Sequence, residues 1–364
     1  MKLLKKIIHW ALALMNIAVV AAMLLCVYSQ YLHPQSYPDF SYLGMLLPPF
    51  AVAVIVFIPV WLVLRWKYAA ISIVGLVLAS ASLRDYCPFH PFGSEPEGRN
   101  LKVLSYNVYM FGKYTADTPS FPIVDFILQT DADIVCLQET GNIKRDTIYN
   151  QLAAQYPNIS LFPNDGSQSA LLSKFPILST DSLSFEGESG TCCFYDVLVG
   201  ADTVRVYNVH LESYKLTTDE KETYKQLVKS SALMRTDSLA LDTLDREQSF
   251  WMLEGKLVDA NVRRAVQTDR LAEAIERCNR KYIILCGDFN DSPVSYTHYR
   301  LTQQLVDAYT ESGNGPGWSY NRDGMYFRID HILASEKFNA YGAKVDKSVQ
   351  ESDHYPIFCT LEMH

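Results

Sequence analysis

The chain has 364 residues, of which 49% are hydrophobic and 20% are charged, and its formal net charge is −8. Residues 1–87 contain six Lys or Arg and two Asp or Glu, so the remaining 26 basic and 38 acidic residues give the rest of the chain a net charge of −12. A region this acidic lacks the general attraction for polyanions that non-specific nucleic-acid-binding proteins use. Composition therefore argues against a DNA substrate, although it leaves room for a local basic groove.

Three apolar stretches open the chain. Ile7–Tyr28 and Leu43–Leu64 each comprise 22 residues without Asp, Glu, Lys or Arg, and about 20 such residues cross a bilayer core. Tyr68–Leu83 has 16 residues and spans only with flanking aromatic residues or local thinning of the bilayer. A cleaved signal peptide would account for the first stretch but not for the other two. We therefore predict a membrane anchor of three transmembrane helices over residues 1–87.

The distribution of positive charge predicts how this anchor is oriented. Lys2, Lys5 and Lys6 precede the first stretch and Arg65 and Lys67 follow the second, whereas residues 29–42 contain no Lys or Arg. The positive-inside rule places both basic ends in the cytoplasm. Three spans then put the C-terminal domain on the extracytoplasmic side of the cell (inner) membrane, as part of a multi-pass protein. If the third stretch lies only at the interface, the domain is cytoplasmic instead.

Residues 88–100 form a linker rich in Pro, Gly and Glu, and the pattern beyond it predicts alternating strands and helices. Helical spacing covers Phe121–Gln129 and much of Leu216–Arg280. The predicted strands are Leu101–Asn107, Ile134–Gln138, Ala170–Ser173, Phe194–Val199, Val204–His210, Tyr282–Cys286, Ile329–Leu333 and Ile357–Leu361. This order predicts an α/β domain over residues 101–364, with packed sheets and outer helices.

The eight cysteines include no Cys-x-x-Cys pair, so they do not form a recognisable metal site. Cys136, Cys286 and Cys359 lie inside apolar, strand-like runs, where a small buried hydrophobe is the expected role. Cys192 and Cys193 are adjacent, and the sequence assigns them no function.

Polar residues of one chemical kind follow the short apolar strands. A rigid scaffold can direct such strand-end side chains into a shared cleft. Each has an ordinary explanation when taken singly, such as an Asx turn or a helix cap. Their joint order along one domain is harder to produce by chance. The residues are Asn107, Glu139, His210, Asp288, Asn290, Asp330, Asp353 and His354.

Seven short motifs carry these residues, and their order resembles that of the endonuclease/exonuclease/phosphatase superfamily. The motifs are Leu-Ser-Tyr-Asn107-Val, Leu-Gln-Glu139-Thr, Leu-Leu-Ser-Lys-Phe-Pro-Ile177, Asn-Val-His210-Leu-Glu-Ser, Cys-Gly-Asp288-Phe-Asn290-Asp, Arg-Ile-Asp330-His-Ile-Leu and Ser-Asp353-His354-Tyr-Pro-Ile. They cover about Leu101–Leu361. The resemblance implies a four-layer sandwich, in which two β-sheets pack face to face and helices cover both outer faces.

The resemblance also implies a metal site and a phosphate ester as the substrate. Attack on an anionic phosphate ester builds negative charge, which a Mg²⁺ or Mn²⁺ ion held by oxygen ligands offsets. Glu139 is the first expected ligand, with Asn107 helping. Asp353 is expected at the same ion or at a second one.

The remaining residues are expected to act on water and phosphate. His354 faces the scissile phosphate, and Asp330 accepts the other ring N–H of His354. Asp288 holds or deprotonates the attacking water, Asn290 orients it, and His210 stabilises phosphate oxygens or the leaving group. Whether Asp288 or His354 is the base stays open.

Two features separate this chain from the DNA-processing members of the superfamily. No basic loop cluster is present, and a long helical insertion that includes Thr217–Arg270 separates His210 from Asp288. Arg263, Arg264, Gln267 and Arg270 lie on that insertion and could meet an anionic substrate, but a solvated helix face is the favoured explanation. Arg328 shares a strand end with Asp330 and is the better candidate for binding substrate phosphate, with a surface ion pair as the alternative.

Three functions compete at this point. The favoured one is a membrane-tethered hydrolase of phosphate esters, either a phosphodiesterase or a phosphomonoesterase. Its substrate could be a lipid head group, since a tether raises the effective concentration of enzyme at the bilayer. The alternative is a metal-dependent endonuclease acting on DNA or RNA. A catalytically inactive binding or sensor protein is the least favoured, because every required position is filled.

Overall fold

The protein was analysed as a computed structural model, which describes residues 2–112, 121–141, 146–163, 168–185, 189–217, 220, 243–322 and 325–364. Four helices open the chain, namely α1 (Lys2–Ser29), α2 (Leu47–Arg65), α3 (Ala69–Leu78) and α4 (Ser80–Tyr86). Short 3₁₀ turns at Pro38–Phe40 and Leu43–Leu46 connect α1 to α2. The helices α1, α2 and α3 pack against one another.

Two segments of this N-terminal part are long and apolar enough to cross a membrane. They are Leu3–Ser29 and Pro38–Leu78, and the second contains both α2 and α3. The third predicted span, Tyr68–Leu83, forms α3 and α4 with a break at Ala79. Three separate spans therefore stay a prediction.

The C-terminal domain alternates strands and helices, as its sequence pattern predicts. Its strands are β1 (Asn100–Asn107), β2 (Ile134–Gln138), β3 (Asn158–Phe162), β4 (Ser169–Ser173), β5 (Ile177–Ser182), β6 (Thr191–Val199), β7 (Asp202–His210), β8 (Tyr282–Asp288), β9 (Val306–Asp307), β10 (Asp330–Ala334), β11 (Phe338–Val345) and β12 (Ile357–Met363). Its helices are α5 (Pro122–Thr130), α6 (Asp146–Ala153), α7 (Thr243–Glu276), α8 (Tyr296–Thr302) and α9 (Ala308–Ser312). Residues 221–242, in which more helix is predicted, lie outside the described residues.

The strands form two six-stranded sheets that pack face to face. The first has the order β11-β12-β1-β2-β4-β3 and the second β5-β6-β7-β8-β10-β9. Helices α5 and α6 cover the outer face of the first sheet, through an apolar cluster that includes Val124 and Leu152. Helices α7 and α8 cover the outer face of the second sheet, where Leu271 and Leu301 are buried. The predicted four-layer sandwich is confirmed.

The main core lies between the two sheets and follows from the alternation of side chains along each strand. Val103 and Ile134 of the first sheet are buried in one cluster with Val206 and Ile284 of the second. The strand cysteines belong to the same core. Cys136, Cys286 and Cys359 are at most 1% exposed, so the prediction that they are small buried hydrophobes is confirmed.

Several strands lack the apolar signature that would have predicted them. The side chains of β3 are all partly exposed, and five of the six in β5 are exposed, because both are edge strands. An edge strand with one solvated face needs few apolar residues. Strand β11 alternates buried and exposed residues around a bulge between Tyr341 and Lys344, which obscures the period.

Strand pairing brings the polar strand ends together. Strands β1 and β2 are parallel and end side by side, with Asn107 paired to Gln138 just before Glu139. Strands β7 and β8 are likewise parallel, and His210 pairs with Asp288. Strand β10 runs antiparallel to β8 and begins at this edge, so its first residue, Asp330, also pairs with Asp288. One edge of the sandwich thus collects carboxylates and imidazoles from both sheets.

The segment between α1 and α2 is held on the C-terminal domain. Gly44 lies so close to the backbone of Val294 that a methyl group there would be 1.7 Å from the Val294 oxygen. Val294 also joins the apolar cluster formed by residues of α1 and α2, including Met23 and Leu47. Three polar pairs link the same segment to α7, namely His33–Asp269, Ser41–Asn261 and Tyr42–Glu254. Anchor and domain therefore pack directly against each other.

We expect Gly287→Ala to destabilise the sandwich next to the strand-end cluster. Gly287 has φ +149°, and a Cβ there would be 1.9 Å from the Val209 carbonyl oxygen of the neighbouring strand. Overpacking of this kind costs about 1–3 kcal/mol in the free energy of unfolding, or a drop of several degrees in Tm. Thermal unfolding of the detergent-solubilised chain measures the change.

Gly255→Ala is the matched control, because Gly255 lies in α7 and a Cβ there meets no atom within 4 Å. Replacing a helical glycine by alanine stabilises by about 0.5–1 kcal/mol. A Gly287→Ala protein that unfolds at or above the wild-type temperature would contradict this account of the β7–β8 contact.

Candidate active site

Glu139, Asp288 and His210 form the first cluster at the shared edge. His210 Nε2 lies 3.6 Å from Glu139 Oε1 and 3.7 Å from Asp288 Oδ2. Asp288 is 1% exposed, whereas the side chain of Glu139 is 33% exposed. Glu139 has φ +52°, a costly conformation for a non-glycine residue that tends to occur at functional sites. This cluster can hold a divalent cation, because its ligand atoms all lie within 4.8 Å of one another.

Asn107 joins the two carboxylates of this cluster. Its Nδ2 donates to Glu139 Oε1 and to Asp288 Oδ2, each at 3.0 Å. Its Oδ1 accepts from the backbone N–H of Tyr109 at 3.2 Å. In this arrangement Asn107 orients the two carboxylates, and its predicted role as a metal ligand stays a prediction.

His354 and Asp330 form the second cluster, which shares Asp288 with the first. His354 Nδ1 lies 2.7 Å from Asp330 Oδ2, and His354 Nε2 lies 3.6 Å from Asp288 Oδ2. Burial lowers the pKa of His354, but the charges of Asp330 and Asp288 outweigh it and raise that pKa to about 10. His354 therefore carries two N–H groups, one bound to Asp330 and one directed toward Asp288 and the cavity.

Asn290 follows Asp288 in a tight turn with φ +52°. Its backbone N–H donates to Asp288 Oδ1 at 2.8 Å, so Asp288 uses one oxygen to fix the turn and the other in the two clusters. Asn290 Nδ2 donates to the Leu211 carbonyl oxygen at 3.0 Å, which ties this turn to the end of β7. Asn290 lines the cavity, where its amide can meet water or phosphate.

Two buried serines position the His354 and Asp330 pair, and the sequence motifs did not single them out. Ser352 Oγ donates to the Asn107 carbonyl oxygen at 2.7 Å and accepts from the N–H of His354 at 3.1 Å. Ser319 Oγ accepts from the N–H of Asp330 at 3.1 Å. Ser352 directly precedes Asp353 and His354 in the last motif, and this position is the sequence signal that could have identified it.

A buried amide pair connects the two sheets beneath the site. Gln138 Nε2 donates to Asn208 Oδ1 at 2.7 Å, and Asn208 Nδ2 donates to the carbonyl oxygens of Leu137 and Ala170, each at 3.1 Å. Buried amides are costly unless they are paired in this way. The contact fixes the separation of the two sheets one residue before Glu139 and two before His210.

The segment that follows His210 is fixed by α7. Arg264 is fully buried, and its Nε and an Nη donate to the Glu212 carbonyl oxygen at 2.9 and 2.8 Å. Gln267 Oε1 accepts from the N–H of Glu212 at 2.8 Å, and Arg263 Nε lies 3.2 Å from Glu212 Oε1. Arg264 and Gln267 therefore hold a loop of the domain. They do not lie on a solvated helix face, and their polar groups are not free to contact substrate.

One cavity of about 210 Å³ opens onto both clusters. Glu139, His210, Asn290, Asp353 and His354 are among the residues that line it. Seven further lining residues are apolar and include Met45 from the segment that precedes α2; they are Met45, Leu216, Leu253, Leu257, Met325, Phe327 and Ile329. The others are Ser213, Tyr214, Lys215, Asp291, Ser292 and Tyr320.

Arg328 does not lie where the phosphate-binding prediction requires. Its neighbours Phe327 and Ile329 line the cavity, and alternation along an extended chain turns the Arg328 side chain to the opposite face. There it is 1% exposed, and it donates to the carbonyl oxygens of Pro316, at 3.1 Å, and Asp85. Arg328 therefore holds the end of α4 on the domain, which corrects both its phosphate role and the surface ion pair.

Asp353 lines the cavity next to His354. Among the described residues, however, the groups of close ligand atoms at this edge are Glu139 with His210 and Asp288, and Asp288 with Asp330 and His354. Asp353 is in neither group. Its predicted role as a metal ligand stays a prediction.

The donor set suits a hard divalent cation. Glu139 and Asp288 present carboxylate oxygens to one point, held there by a single amide, and Mg²⁺ is commonly bound in proteins by one or two carboxylates with water completing the shell. The Cys₄ and Cys₂His₂ sets of structural zinc sites differ from this one. The residues at this edge therefore fit the Mg²⁺ or Mn²⁺ expected from the sequence.

Comparison with known structures agrees with the sandwich. The chain is similar to a humanised D. rerio TDP2 with 14 mutations (14% identity, 72% of this chain and 99% of that chain, TM-score 0.52). It is also similar to D. rerio TDP2 complexed with a single-strand DNA product (15% identity, 72% and 99%, TM-score 0.50). At these identities the likeness shows the fold alone. No curated protein matches the sequence.

Two family models match the sequence. A model described as a domain of unknown function (DUF8431) matches residues 5–86, which include most of α1 and all of α2 to α4. The model of the Endonuclease/Exonuclease/phosphatase family matches residues 104–354, which include every residue of both clusters. The chain therefore belongs to the endonuclease/exonuclease/phosphatase family.

Proposed function

We propose that this protein is a divalent-metal-dependent hydrolase of phosphate esters, tethered to a membrane by its N-terminal helices. One observation carries the proposal, namely that Asp288 belongs to two clusters. With Glu139 and His210 it forms a group that can hold a divalent cation. It also lies next to the ion pair of His354 and Asp330. Family membership supports the same reaction class. An inactive binding protein would not need all of these groups in contact.

Glu139 is the residue that we assign to the metal ion, with Asp288 and His210 beside it. When bound, Mg²⁺ or Mn²⁺ supplies positive charge that offsets the charge developing on the phosphoryl oxygens. Asn107 donates to both carboxylates and so reduces their mutual repulsion. In this arrangement Asn107 acts on the ion through the carboxylates and not as a direct ligand.

Asp288 is the residue that we assign as the base. His354 has Asp330 bound at Nδ1, so it presents its Nε2–H to the cavity and can donate to a phosphate oxygen. Asp288 is an acceptor when ionised and can hold a water or take its proton as the water attacks phosphorus. Asn290 lines the cavity close to Asp288, where its amide can orient that water. We assign His210 to stabilise the phosphate oxygens or the leaving oxygen.

We assign the catalytic domain to the extracytoplasmic side of the cell membrane. The domain packs on the segment between α1 and α2 through Gly44 and Val294, and residues 29–42 of that segment contain no Lys or Arg. The basic ends of the anchor, at Lys2 and at Arg65, lie at the other ends of α1 and α2. The positive-inside rule and the packing therefore support the same orientation.

An endonuclease acting on DNA or RNA is the alternative within this family. The net charge of −12 on residues 88–364 argues against it, as does the burial of Arg264 and Arg328 in contacts with the protein itself. A phosphodiester of a membrane component suits the tether better.

His354→Ala should lower kcat by roughly 10²- to 10⁴-fold, the range for loss of one acid–base group. Bis(4-nitrophenyl) phosphate with Mg²⁺ or Mn²⁺ provides the assay. Asp330→Asn should lower kcat as well, and the double variant should be little worse than His354→Ala, because the two groups act as a unit.

His364→Ala is the matched control, since His364 is an exposed imidazole at the C-terminus and belongs to neither cluster. Equal activity of His354→Ala and wild type, at equal metal concentration, would overturn the assigned role.

Chelation should abolish hydrolysis, and added Mg²⁺ or Mn²⁺ should restore it. Glu139→Gln removes the more exposed carboxylate of the first cluster and keeps its shape, so it should raise the metal concentration needed for half-maximal activity. Titrating the metal against initial rate measures this shift. Full activity in excess EDTA would eliminate a metal-dependent mechanism.

Cys87 provides a test of sidedness. It is exposed just after α4, whereas six of the other seven cysteines are buried. A membrane-impermeant maleimide should therefore modify it in intact cells if the domain is extracytoplasmic. Cys87→Ser should lose that labelling, and lysed cells show total reactivity. Labelling of Cys87 only after lysis would place the domain in the cytoplasm.

A further inference from the structure

The residues that line the cavity beside the clusters are of two chemical kinds, which we call the polar wall and the apolar wall. Glu139, His210 and His354 stand along the polar wall. The apolar wall is built from three separate parts of the chain. These contribute Met45 from the anchor, Leu253 and Leu257 from α7, and Met325, Phe327 and Ile329 from the segment before β10. A small polar phosphate ester would use the first wall and leave the second in water.

Helix geometry and hydrogen bonds hold the residues of the apolar wall in position. Leu253 and Leu257 are one helical turn apart on α7, so they face the same direction. Met45 is held from the domain, because Tyr214 Oη donates to its Sδ at 3.5 Å. Tyr214 Oη in turn contacts Asn261 Oδ1 at 3.1 Å. The anchor thus completes the cavity of the catalytic domain.

The position of Met45 places this cavity at the level of the bilayer surface. Helix α2 begins at Leu47, two residues after Met45, and its 19 residues extend about 28 Å at about 1.5 Å per residue. This length matches a hydrocarbon core of about 30 Å. When α2 spans the membrane, Met45 therefore lies at its boundary, where lipid head groups are found.

We infer that the substrate is an amphipathic phosphate ester of the membrane-lipid class, whose apolar chain lies along Met45, Leu253 and Leu257 while its phosphate lies at Glu139 and His354. The inference rests on the proposed function and names the substrate class for that site. Met45 and Leu257 are specificity-determining residues. Each methylene group buried against this wall contributes about fourfold in binding.

A nucleic acid fits these walls less well. Sequence-tolerant strand binding uses a positively charged groove with aromatic stacking surfaces. Lys215 is the single Lys or Arg among the described residues that line the cavity, and the aromatic Tyr214, Tyr320 and Phe327 are outnumbered there by six aliphatic or Met side chains. Asp353 and Glu139 add negative charge to the polar wall. A lipid chain gains from the aliphatic wall, and its single phosphate needs only the metal site.

Matched phosphodiesters test the inference without knowledge of the head group. The full chain in detergent is assayed with 4-nitrophenyl methyl phosphate and 4-nitrophenyl octyl phosphate, which share one leaving group and differ only in the alkyl chain. Both are kept below the concentration at which micelles form. We expect kcat/KM to be at least tenfold higher for the octyl ester than for the methyl ester.

Met45→Gln and Leu257→Gln should each lower the octyl-to-methyl ratio of kcat/KM by about threefold or more. The ratio is measured on one preparation, so partial loss of folded protein lowers both rates and leaves the ratio unchanged. Leu178→Gln is the control. Leu178 is 55% exposed in β5 and does not line the cavity, so its ratio should equal the wild-type ratio.

Three outcomes separate this inference from the proposed function. Metal-dependent hydrolysis of both esters with equal kcat/KM would overturn the lipid inference and leave the hydrolase intact. A wild-type preference that neither cavity variant reduces would also overturn it. No hydrolysis of either ester with Mg²⁺ or Mn²⁺ would contradict the proposed function itself.

A competition assay tests whether the phosphate of the natural substrate belongs to a lipid or to a nucleic acid. Phosphatidylglycerol vesicles and a single-stranded oligonucleotide are each added, at equal phosphate concentration, to the methyl-ester assay. We expect the vesicles to inhibit more strongly. Stronger inhibition by the oligonucleotide, followed by its cleavage, would replace the lipid with a nucleic acid.

Discussion

The buried carboxylate of Asp288 is the constraint on which the rest of the site depends. Its Oδ2 accepts from Asn107 and lies within 3.7 Å of both His210 and His354, while its Oδ1 fixes the turn through Asn290. An unpaired buried carboxylate is costly, so these partners are required for the fold as well as for chemistry. Strands β1, β7, β8 and β10 must therefore end or begin at one edge, and the two-sheet sandwich is an arrangement that achieves this.

Much of this could be predicted from the sequence, because strand ends are marked by simple patterns. Strands β2, β7 and β8 contain short apolar stretches, and a polar residue of catalytic type stands at the end of each strand or directly after it. Parallel neighbours end at the same edge, so Asn107 lies beside Glu139 in the first sheet and His210 beside Asp288 in the second. Face-to-face packing of the two sheets then brings Glu139 to His210 and Asp288. The buried strands were predictable for the same reason, whereas the exposed edge strands β3 and β5 carry no such pattern.

The sequence could not predict in which direction a polar side chain points or which group it contacts. Arg328 is two residues from Asp330, yet alternation along the chain turns it toward Asp85 and Pro316. The amide of Asn107 has one orientation that satisfies Tyr109 N–H and both carboxylates, and that choice depends on three other segments. Arg264 was predicted to lie on a solvated helix face, but its guanidinium donates to the Glu212 carbonyl oxygen in the loop after His210. Each of these outcomes is decided by contacts between distant parts of the chain.

The N-terminal segment contributes directly to the candidate site. Arg328 connects the end of α4 to the segment whose residues Phe327 and Ile329 face the cavity, and Met45 reaches the cavity from the start of α2. Two contacts of the N-terminal segment therefore bear on one cavity. A tether that only raised local concentration would need neither contact. Because Met45 is one of the residues that line the cavity, the shape of the site depends on the packing of this segment against the domain, and under the proposed function that packing links substrate recognition to the membrane.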